Sequence, residues 1–484
     1  MLKRFALLGF WALCGLGGAM GWQTCSLSSR QPAALPANLK ADLPEARRAA
    51  ERLAETLRLQ TVSGQKPFPA EAFDQLHALL PQHFPETFRR LQPRRLGHSL
   101  LIHWPGSKPE LKPILLAAHL DVVPVAAPES WTHPPFVGQI KDGYIWGRGA
   151  LDDKNSAWAI LEALEALLKT GYQPRQGLYI ALGEDEETGG RNGAQRLAEQ
   201  LRADSVQLEA VLDEGLAIVP GSMIGLEPPL ALIGLAEKGY LSVRLRVTQS
   251  GGHASMPPRE TAVDILARAL VRLNQSPMPA RLEGPAAQLF DWLAPEMQGL
   301  NRVILANRRL FEPVLLRQLA ARATTNALIR TTLAPTQLKA SPKDNVLASD
   351  AEAVINLRLL PGDGPEAVMA HLNATVQDAR VQLQPLNDLA TAAASVVSST
   401  ESAFFALLAR SIRQTFDTSV VAPSLVLAAT DARHYAPLAE NIYRFMPVYL
   451  TAEDLERIHG KDERISVEAH AQAIAFYAQL LSGL

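Results

Sequence analysis

The sequence predicts an α/β fold, a sheet with helices on both faces, into which a smaller α+β domain is inserted. Short apolar segments typical of buried strands alternate with amphipathic helical patterns up to residue 237. After Lys238 the strand-like segments instead alternate apolar and polar residues, as in antiparallel sheets with one exposed face. The first pattern returns near the C-terminus, which indicates that one domain is inserted into the other.

The main domain is predicted from its apolar periodicity. Its helices have apolar residues on one side, and its strands are apolar throughout. In order, we expect a helix over 43–59, a strand over 114–120, a hairpin over 137–146, a helix over 152–170, a strand over 177–183, a helix over 191–202, a strand over 210–213 and a final helix over 466–481.

The inserted domain is predicted to have a β-α-β-β-α-β-like order, interrupted by a Pro- and Arg-bearing segment over 276–330. Its expected elements are strands over 240–248 and 354–360, helices over 261–273 and 365–377, and a strand from 381. The predicted divisions are a leader over 1–38, a main domain over 39–237 and 391–484, and the inserted domain over 238–390.

Composition excludes several classes of protein. The chain has 484 residues, of which 47% are hydrophobic and 20% charged, so it is long enough for two globular domains. The net charge is −2, and with no basic run or Gly-rich phosphate loop we expect no nucleic-acid partner. Both cysteines, Cys14 and Cys25, lie near the N-terminus. The remainder of the chain therefore has no disulfide, cysteine nucleophile or cysteine metal ligand.

The N-terminal segment resembles a targeting sequence. Lys3 and Arg4 precede an apolar stretch that extends to Trp22, and a Ser-, Pro- and Ala-rich segment follows. This pattern is typical of a secretory signal peptide cleaved after Ala19, and the stretch is also just long enough for an uncleaved membrane anchor. Both alternatives stay open. Each predicts a protein that is secreted, periplasmic or membrane-anchored, with its folded domains outside the cytoplasm.

Acidic residues and histidines recur where the predicted strands end and before the last helix. The carboxyl ends of strands in an α/β sheet meet at one edge, where ligands bind. A buried acidic cluster costs free energy unless cations neutralise it, and histidine with carboxylates is a ligand set for paired zinc ions. Five segments together predict a two-metal hydrolase site: His119-Leu120-Asp121, Asp152-Asp153-Lys154, Glu184-Asp185-Glu186-Glu187, Asp213-Glu214-Gly215 and Ile458-His459-Gly460.

Each segment alone has an ordinary explanation, such as a hydrogen-bonded histidine, a helix N-cap or a solvated acidic turn. Their joint occurrence favours the metal site. His119 and Asp121 point to the same side of an extended chain, so Asp121 can orient a metal-binding His119. Adjacent Glu186 and Glu187 point to different sides, so one can bind metal while the other acts as a general base.

These motifs resemble those of the zinc-dependent M20 metallopeptidase family, and the resemblance covers residues 43–484. The family signatures are His-x-Asp, Gly-Arg-Gly followed by Asp-Asp-Lys, an acid-Glu-Glu trio, a later Glu and a distal His. Segments that resemble the carboxypeptidase S and N-acyl-amino-acid hydrolase branch in particular are 118–124, 147–154, 211–215, 430–435 and 458–466.

The resemblance implies a zinc-peptidase-like catalytic domain that holds two Zn²⁺, although carboxylate-rich sites also accept Co²⁺ or Mn²⁺. It implies that Asp121 orients the site and that Glu186 is the general base. It also implies a cis peptide bond between Asp152 and Asp153. The implied ligands are His119 and Glu214 for one ion, Glu187 and His459 for the other, and Asp152 as the bridge.

The inserted domain is implied to be a ferredoxin-like lid and, as in many relatives, the surface of a homodimer. The implied substrate-binding residues are His253, at the oxyanion, Asn345 and Arg358, near a substrate carboxylate, and Arg433. A guanidinium forks two hydrogen bonds to a carboxylate, which suits this role. An ordinary structural role stays open for His253 and Arg358.

The implied activity is hydrolysis of an amide bond next to a residue with a free carboxylate, in a peptide or an N-acyl amino acid. Three alternatives stay open. They are an aminopeptidase or dipeptidase of the same family, the reverse condensation of a fatty acid with an amino acid, and a non-catalytic binding homologue. The last is disfavoured because no ligand or base position is lost.

Overall fold

The computed structural model describes residues 2–33, 39, 42–386, 393–416 and 419–484. Two predicted domain boundaries, at residues 38 and 390, lie outside the described residues. The helices of the described chain are α1 (Leu2–Cys25), α2 (Ala46–Leu57), α3 (Ala70–His83), α4 (Pro85–Leu91), α5 (Lys154–Lys169), α6 (Ala194–Ala203), α7 (Ala262–Gln275), α8 (Gly284–Leu293), α9 (Gly299–Ala306), α10 (Arg308–Ala320), α11 (Ala323–Ile329), α12 (Pro365–Val376), α13 (Ala403–Thr415), α14 (Ala432–Tyr435), α15 (Ala452–Arg457) and α16 (Val467–Ser482).

The strands of the same residues form four sheets. They are β1 (Arg94–Leu96), β2 (Ser99–Trp104), β3 (Ile114–His119), β4 (Gln139–Lys141), β5 (Tyr144–Trp146), β6 (Leu178–Gly183), β7 (Leu208–Asp213), β8 (Ile218–Val219), β9 (Leu230–Glu237), β10 (Gly239–Thr248), β11 (Gly252–His253), β12 (Thr332–Lys339), β13 (Val346–Leu347), β14 (Asp350–Leu359), β15 (Val381–Leu386), β16 (Val420–Val426), β17 (Ala439–Arg444) and β18 (Arg464–Ser466).

A nine-stranded mixed sheet is the centre of the main domain, in the order β1-β2-β6-β3-β7-β17-β9-β16, with β8 beside β9. Strands β6, β3, β7 and β17 run parallel, and so do β9 and β16, whereas β17 meets β9 antiparallel. Every residue of β3 is buried because helices cover both faces. Leu116 packs in one core with α5 and α16, and Leu115 packs in another with α6. This arrangement confirms the predicted α/β class.

The inserted region, within 239–386, has a separate antiparallel sheet in the order β12-β14-β10-β15. Alternate residues of β14 are buried, and they share a core with α7 and α12. The alternation arises because helices cover only one face of this sheet. The extent of this domain and its role as a lid stay predictions.

The Pro- and Arg-bearing segment over 276–330 is mostly helical, which its sequence pattern did not reveal. Helices α8 to α11 fall within it, and Trp292 of α8 packs edge-on against Phe405 with ring centroids 5.5 Å apart. Leu289 and Leu305 join the main core rather than the core of the inserted sheet. The segment therefore packs against β16, the strand at one edge of the main sheet. Proteins commonly cover such edges, because an unpaired strand edge can pair with another chain.

Helix α1 ends against this helical segment, where the Asn307 side-chain amide donates to the Thr24 hydroxyl at 3.2 Å. Among the described residues, no helix combines the length and apolar character needed to cross a bilayer. The signal peptide and the membrane anchor both stay predictions.

Candidate metal centre

Three adjacent strands bring the acidic and histidine motifs together. Strand β3 ends at His119, β7 ends at Asp213 just before Glu214, and β6 ends at Gly183 just before the segment 184–187. Because β6, β3 and β7 are parallel neighbours, their carboxyl ends lie at one edge of the sheet. The predicted site residues of these strands therefore come together.

Asp152 is shared by two groups of possible metal ligands. In one group, His119 Nε2 lies 2.9 Å from Asp152 Oδ1 and 3.4 Å from Glu214 Oε1. In the other, His459 Nε2 lies 3.0 Å from Asp152 Oδ2 and 3.1 Å from Glu187 Oε1. Within each group the three ligand atoms lie no more than 4.8 Å apart. One carboxylate with an oxygen toward each histidine is an arrangement that can hold two cations.

Asp121 fixes the orientation of His119 from behind. The Asp121 carbonyl oxygen lies 3.0 Å from His119 Nδ1, and a proton on Nδ1 is donated there. The other ring nitrogen, Nε2, therefore faces the carboxylates of Asp152 and Glu214. The Asp121 carboxylate also accepts the backbone N–H groups of Glu186 at 3.1 Å and Glu187 at 3.2 Å. Asp121 therefore ties two of the acidic segments to one another.

The electrostatics of the cluster favour a bound cation. Burial, and then the Asp152 carboxylate, raises the pKa of Glu214 to about 7. Burial would lower the pKa of His119, but Glu214 and the hydrogen bonds to Asp121 and Asp152 raise it well above its usual value. Hydrogen bonding to Asp152 is the main reason that the pKa of His459 rises to about 10. Histidine nitrogens and carboxylate oxygens are common ligands of divalent metal ions. A bound cation would also neutralise the repulsion between the buried carboxylates.

Glu186 belongs to neither group of ligands, unlike its neighbour Glu187. Burial, followed by the Glu214 carboxylate, raises the pKa of Glu186 well above its usual value. A carboxylate beside the metal ligands whose proton affinity is raised is suited to accept and return a proton. The peptide bond between Asp152 and Asp153 is cis, as predicted.

The four predicted substrate-binding residues lie in two regions. His253 is exposed on β11, where its Nδ1 lies 2.7 Å from the Ser255 hydroxyl. Asn345 is near it, because the Asn345 carbonyl accepts the backbone N–H of Ala254 at 3.0 Å. Arg358 lies on β14 with its guanidinium 4.8 Å from the ring centre of Tyr240.

Arg433 lies beside the metal cluster. Its Nη2 donates to the carbonyl of Gly189 at 3.0 Å, two residues after Glu187. Among the described residues, no hydrogen bond or ion pair joins any of the four residues to the cluster, and only Arg433 bonds the segment that follows Glu187.

Three buried charged residues to which the sequence analysis gave no role support the centre. Lys154 donates to the carbonyls of Thr56 at 3.1 Å and Leu59 at 2.9 Å, and burial lowers its pKa to about 7. Glu463 and Arg148 pair at 2.6 Å, and both are almost fully buried. The sequence clue to these residues is that each is a charged residue within a glycine-containing motif, 147–154 or 458–466.

A second buried ion pair lies close to Asp213, the residue before Glu214. Arg444 Nε donates to Glu237 Oε1 at 2.8 Å, and neither side chain is appreciably exposed. The Thr430 hydroxyl lies 2.7 Å from the same Glu237 oxygen and 2.9 Å from Asp213 Oδ2. These contacts connect β9 and β17 with the end of β7.

The sequence matches a known family and curated relatives. Residues 115–483 match the model of peptidase family M20/M25/M40. A probable carboxypeptidase S-like 2 from Dictyostelium discoideum is 41% identical over 442 residues, which are 89% of this chain and 84% of that protein. An N-fatty-acyl-amino acid synthase/hydrolase, PM20D1, from Xenopus tropicalis is 42% identical over 90% of this chain and 86% of that protein.

The fold is also similar to that of a solved structure. An M20 family metallo-carboxypeptidase, Sso-CP2 from Sulfolobus solfataricus, superimposes with a TM-score of 0.66 at 17% identity. The similarity covers 90% of this chain and 98% of that one. At this identity the likeness concerns the fold alone.

Proposed function

The chain belongs to peptidase family M20/M25/M40, and on this premise we propose that it is a two-metal amidohydrolase. Its relatives make it a hydrolytic enzyme of the carboxypeptidase or N-acyl-amino-acid hydrolase kind. The proposed reaction is cleavage of the amide bond next to a residue with a free carboxylate. The observation that carries the proposal is the sharing of Asp152 between two ligand groups.

Five residues would hold the metal ions, which we propose to be zinc: His119, Asp152, Glu187, Glu214 and His459. When bound, such ions supply a Lewis acid for the scissile carbonyl and acidify a water molecule. Co²⁺ and Mn²⁺ are the alternatives, because carboxylate-rich sites accept both. Metal analysis of the purified protein identifies the ion.

Glu186 would move the proton. In the proposed reaction a water oxygen adds to the carbonyl carbon, and the Glu186 carboxylate accepts the proton that the water loses. The carbon–nitrogen bond then breaks, and Glu186 returns the proton to the leaving amine. Burial raises the pKa of Glu186, which favours a carboxylate that accepts a proton and later returns it.

Recognition of the substrate would fall to the inserted domain and Arg433. We propose that Arg358 binds the free carboxylate, with Asn345 beside it, and that His253 donates to the oxyanion. The stacking of Arg358 on Tyr240 supports this proposal, because it leaves a planar guanidinium held in one orientation. The substrates named for the Xenopus tropicalis relative, N-fatty-acyl amino acids, carry such a carboxylate.

The decisive experiment for the base is Glu186→Gln. We expect kcat to fall by roughly 10²–10⁴-fold while the metal content stays unchanged, because the amide cannot accept a proton. Glu199→Gln, at an exposed position on α6, is the matched control and should keep full activity. Near wild-type kcat in Glu186→Gln would show that the base is another group.

The decisive experiment for the carboxylate is Arg358→Lys. This change keeps the positive charge but loses the pair of N–H donors with which a guanidinium binds a carboxylate. KM should therefore rise for N-acyl amino acids and not for their carboxamides, which lack the carboxylate. Arg244→Lys is the control, because Arg244 lies on the same face of the inserted sheet. An equal rise of KM for both substrates would assign Arg358 a structural role.

We also propose that the N-terminal segment exports the protein, as a cleaved signal peptide or as an anchor, and that the inserted domain forms a homodimer. The reverse condensation uses the same residues, and the synthase/hydrolase name of the relative favours testing it. Incubation of a fatty acid with an amino acid measures it directly. A requirement for a free amino terminus would instead favour the aminopeptidase or dipeptidase alternative.

A further inference from the structure

Glu463 organises the loop that carries Asp152. Its Oε1 accepts the backbone N–H groups of Gly149 at 3.0 Å, Leu151 at 2.7 Å and Asp152 at 3.2 Å. Its Oε2 accepts Arg148 Nη1 at 2.6 Å. Glu463 is fully buried, so water does not replace these contacts. The Glu463 carboxylate therefore fixes the backbone of Asp152, whose own carboxylate is shared by the two ligand groups.

Arg148 connects the same loop to the loop of His459. While Nη1 donates to Glu463, Nη2 donates to the carbonyl of His459 at 3.2 Å and to that of Gly460 at 2.9 Å. The two members of the pair are 315 positions apart in the sequence. Together they join two segments that each supply a ligand to the group of Asp152, Glu187 and His459.

The backbone of His459 needs this support. Its φ is 61°, in the left-handed region that a residue other than glycine adopts only when the surroundings hold it there. Its side chain is 52% exposed, so packing does little to fix it, whereas the His119 side chain is 2% exposed at the end of a buried strand. The two histidines of the cluster are therefore positioned by different means.

We propose that Glu463 and Arg148 are positioning residues that build one of the two metal subsites, the one formed by Asp152, Glu187 and His459. The other subsite shares Asp152, but its two remaining ligands, His119 and Glu214, lie at the ends of strands β3 and β7, so it depends less on the pair. The inference rests on the proposed two-metal function. It adds that the two subsites have different structural supports and are weakened to different extents when the pair is broken.

The test is a titration with Zn²⁺ alone, in competition with a chelating dye, on the wild-type chain and on Glu463→Gln. Glutamine has the same size as glutamate, but one of its two terminal atoms is an amide nitrogen, which donates. That nitrogen would face either Arg148 or the backbone N–H groups, which are donors themselves. We expect the wild type to bind two ions. Glu463→Gln should bind the ion of this subsite roughly 10–100-fold more weakly, as is usual when a partner behind a metal ligand is lost, and should weaken the other ion, which shares Asp152, by less.

Asp462→Asn is the matched control, because it removes the neighbouring negative charge. Asp462 is partly buried and accepts the backbone N–H of Thr132 at 2.6 Å and the Thr132 hydroxyl at 3.0 Å, so its own contacts do not involve the pair. It should bind both ions as the wild type does.

Arg148→Lys is a second variant in case Glu463→Gln does not fold. Lysine keeps the charge beside Glu463 but cannot reach the His459 carbonyl with a second donor, so it too should weaken one ion more than the other. Circular dichroism reports whether each variant is folded.

The outcomes separate the two proposals. A wild-type chain that binds fewer than two ions overturns the two-metal function. Two ions bound with wild-type affinity by both variants overturn the positioning role and leave the function intact. Equal weakening of both ions in both variants also overturns it, because the pair would then support the whole domain rather than one subsite.

Discussion

The contacts of Asp121 allow the effect of a single substitution to be worked out. Asp121 is completely buried, and its carboxylate accepts the N–H groups of Glu186 and Glu187 at 3.1 and 3.2 Å. In Asp121→Asn one of the two oxygens becomes an amide nitrogen. One backbone N–H then faces another donor and loses its partner in a buried site.

The magnitude follows from the energy of hydrogen bonds to charged groups, about 1.5–3 kcal/mol each. Since 1.4 kcal/mol corresponds to a tenfold change in an equilibrium constant, loss of one such bond should weaken metal binding by about 10–100-fold. The weakening should affect both ions, because Asp121 touches His119 of one ligand group and the backbone of Glu187 of the other.

Zinc titration with a competing dye measures this loss, and a kinetic assay at saturating zinc shows how much activity returns. Asp142→Asn, in an exposed turn, removes the same charge at a distance from the cluster and is the control. Wild-type zinc affinity in Asp121→Asn, with the control also unchanged, would refute the account of Asp121 as the residue that orients the cluster.

Two further predictions concern proton linkage and stability. In the metal-free chain the pKa of Glu214 is about 7 and that of His459 about 10, so both release protons when zinc binds and the zinc affinity rises with pH. The rise should be about tenfold per pH unit for each proton released, and an affinity that is flat between about pH 6 and pH 8 would contradict it. Arg444→Met should lower the free energy of unfolding by about 3–5 kcal/mol, because it leaves Glu237 charged, buried and unpaired. Thermal or denaturant unfolding measures this, and exposed Arg380→Met should change little; equal effects of the two substitutions would be evidence against the buried pair.

Local patterns sufficed for the elements that flank the centre. The apolar run over 114–120 predicted β3, and the helix predicted over 152–170 is α5, which begins two residues later. That late start has a physical cause, because the backbone before Lys154 is held by Glu463 and is not free to form a helical turn. The five acidic and histidine segments also converge as expected.

Other features depend on contacts between distant parts of the chain, and their sequence signals are weak. Strand β16 contains Pro423 and Ser424 and is buried because it pairs with β9 and packs against α8 and α13. The role of Glu463 was equally hidden, because nothing in a sequence shows that a glutamate will meet an arginine 315 positions earlier. The sequence motifs predicted which acidic residues and histidines gather at the edge of the sheet, but not the buried residues that position them.

The shared carboxylate of Asp152 also has a consequence for synthesis. Its two partners, His119 and His459, lie in the first and last thirds of the sequence, and ribosomes add roughly 5–20 residues per second. The first histidine therefore leaves the ribosome tens of seconds before the second. During that interval the nascent chain has one incomplete ligand group and cannot attack amide bonds around it. Under the proposed function, hydrolytic competence is therefore withheld until the segment just before the last helix has been translated.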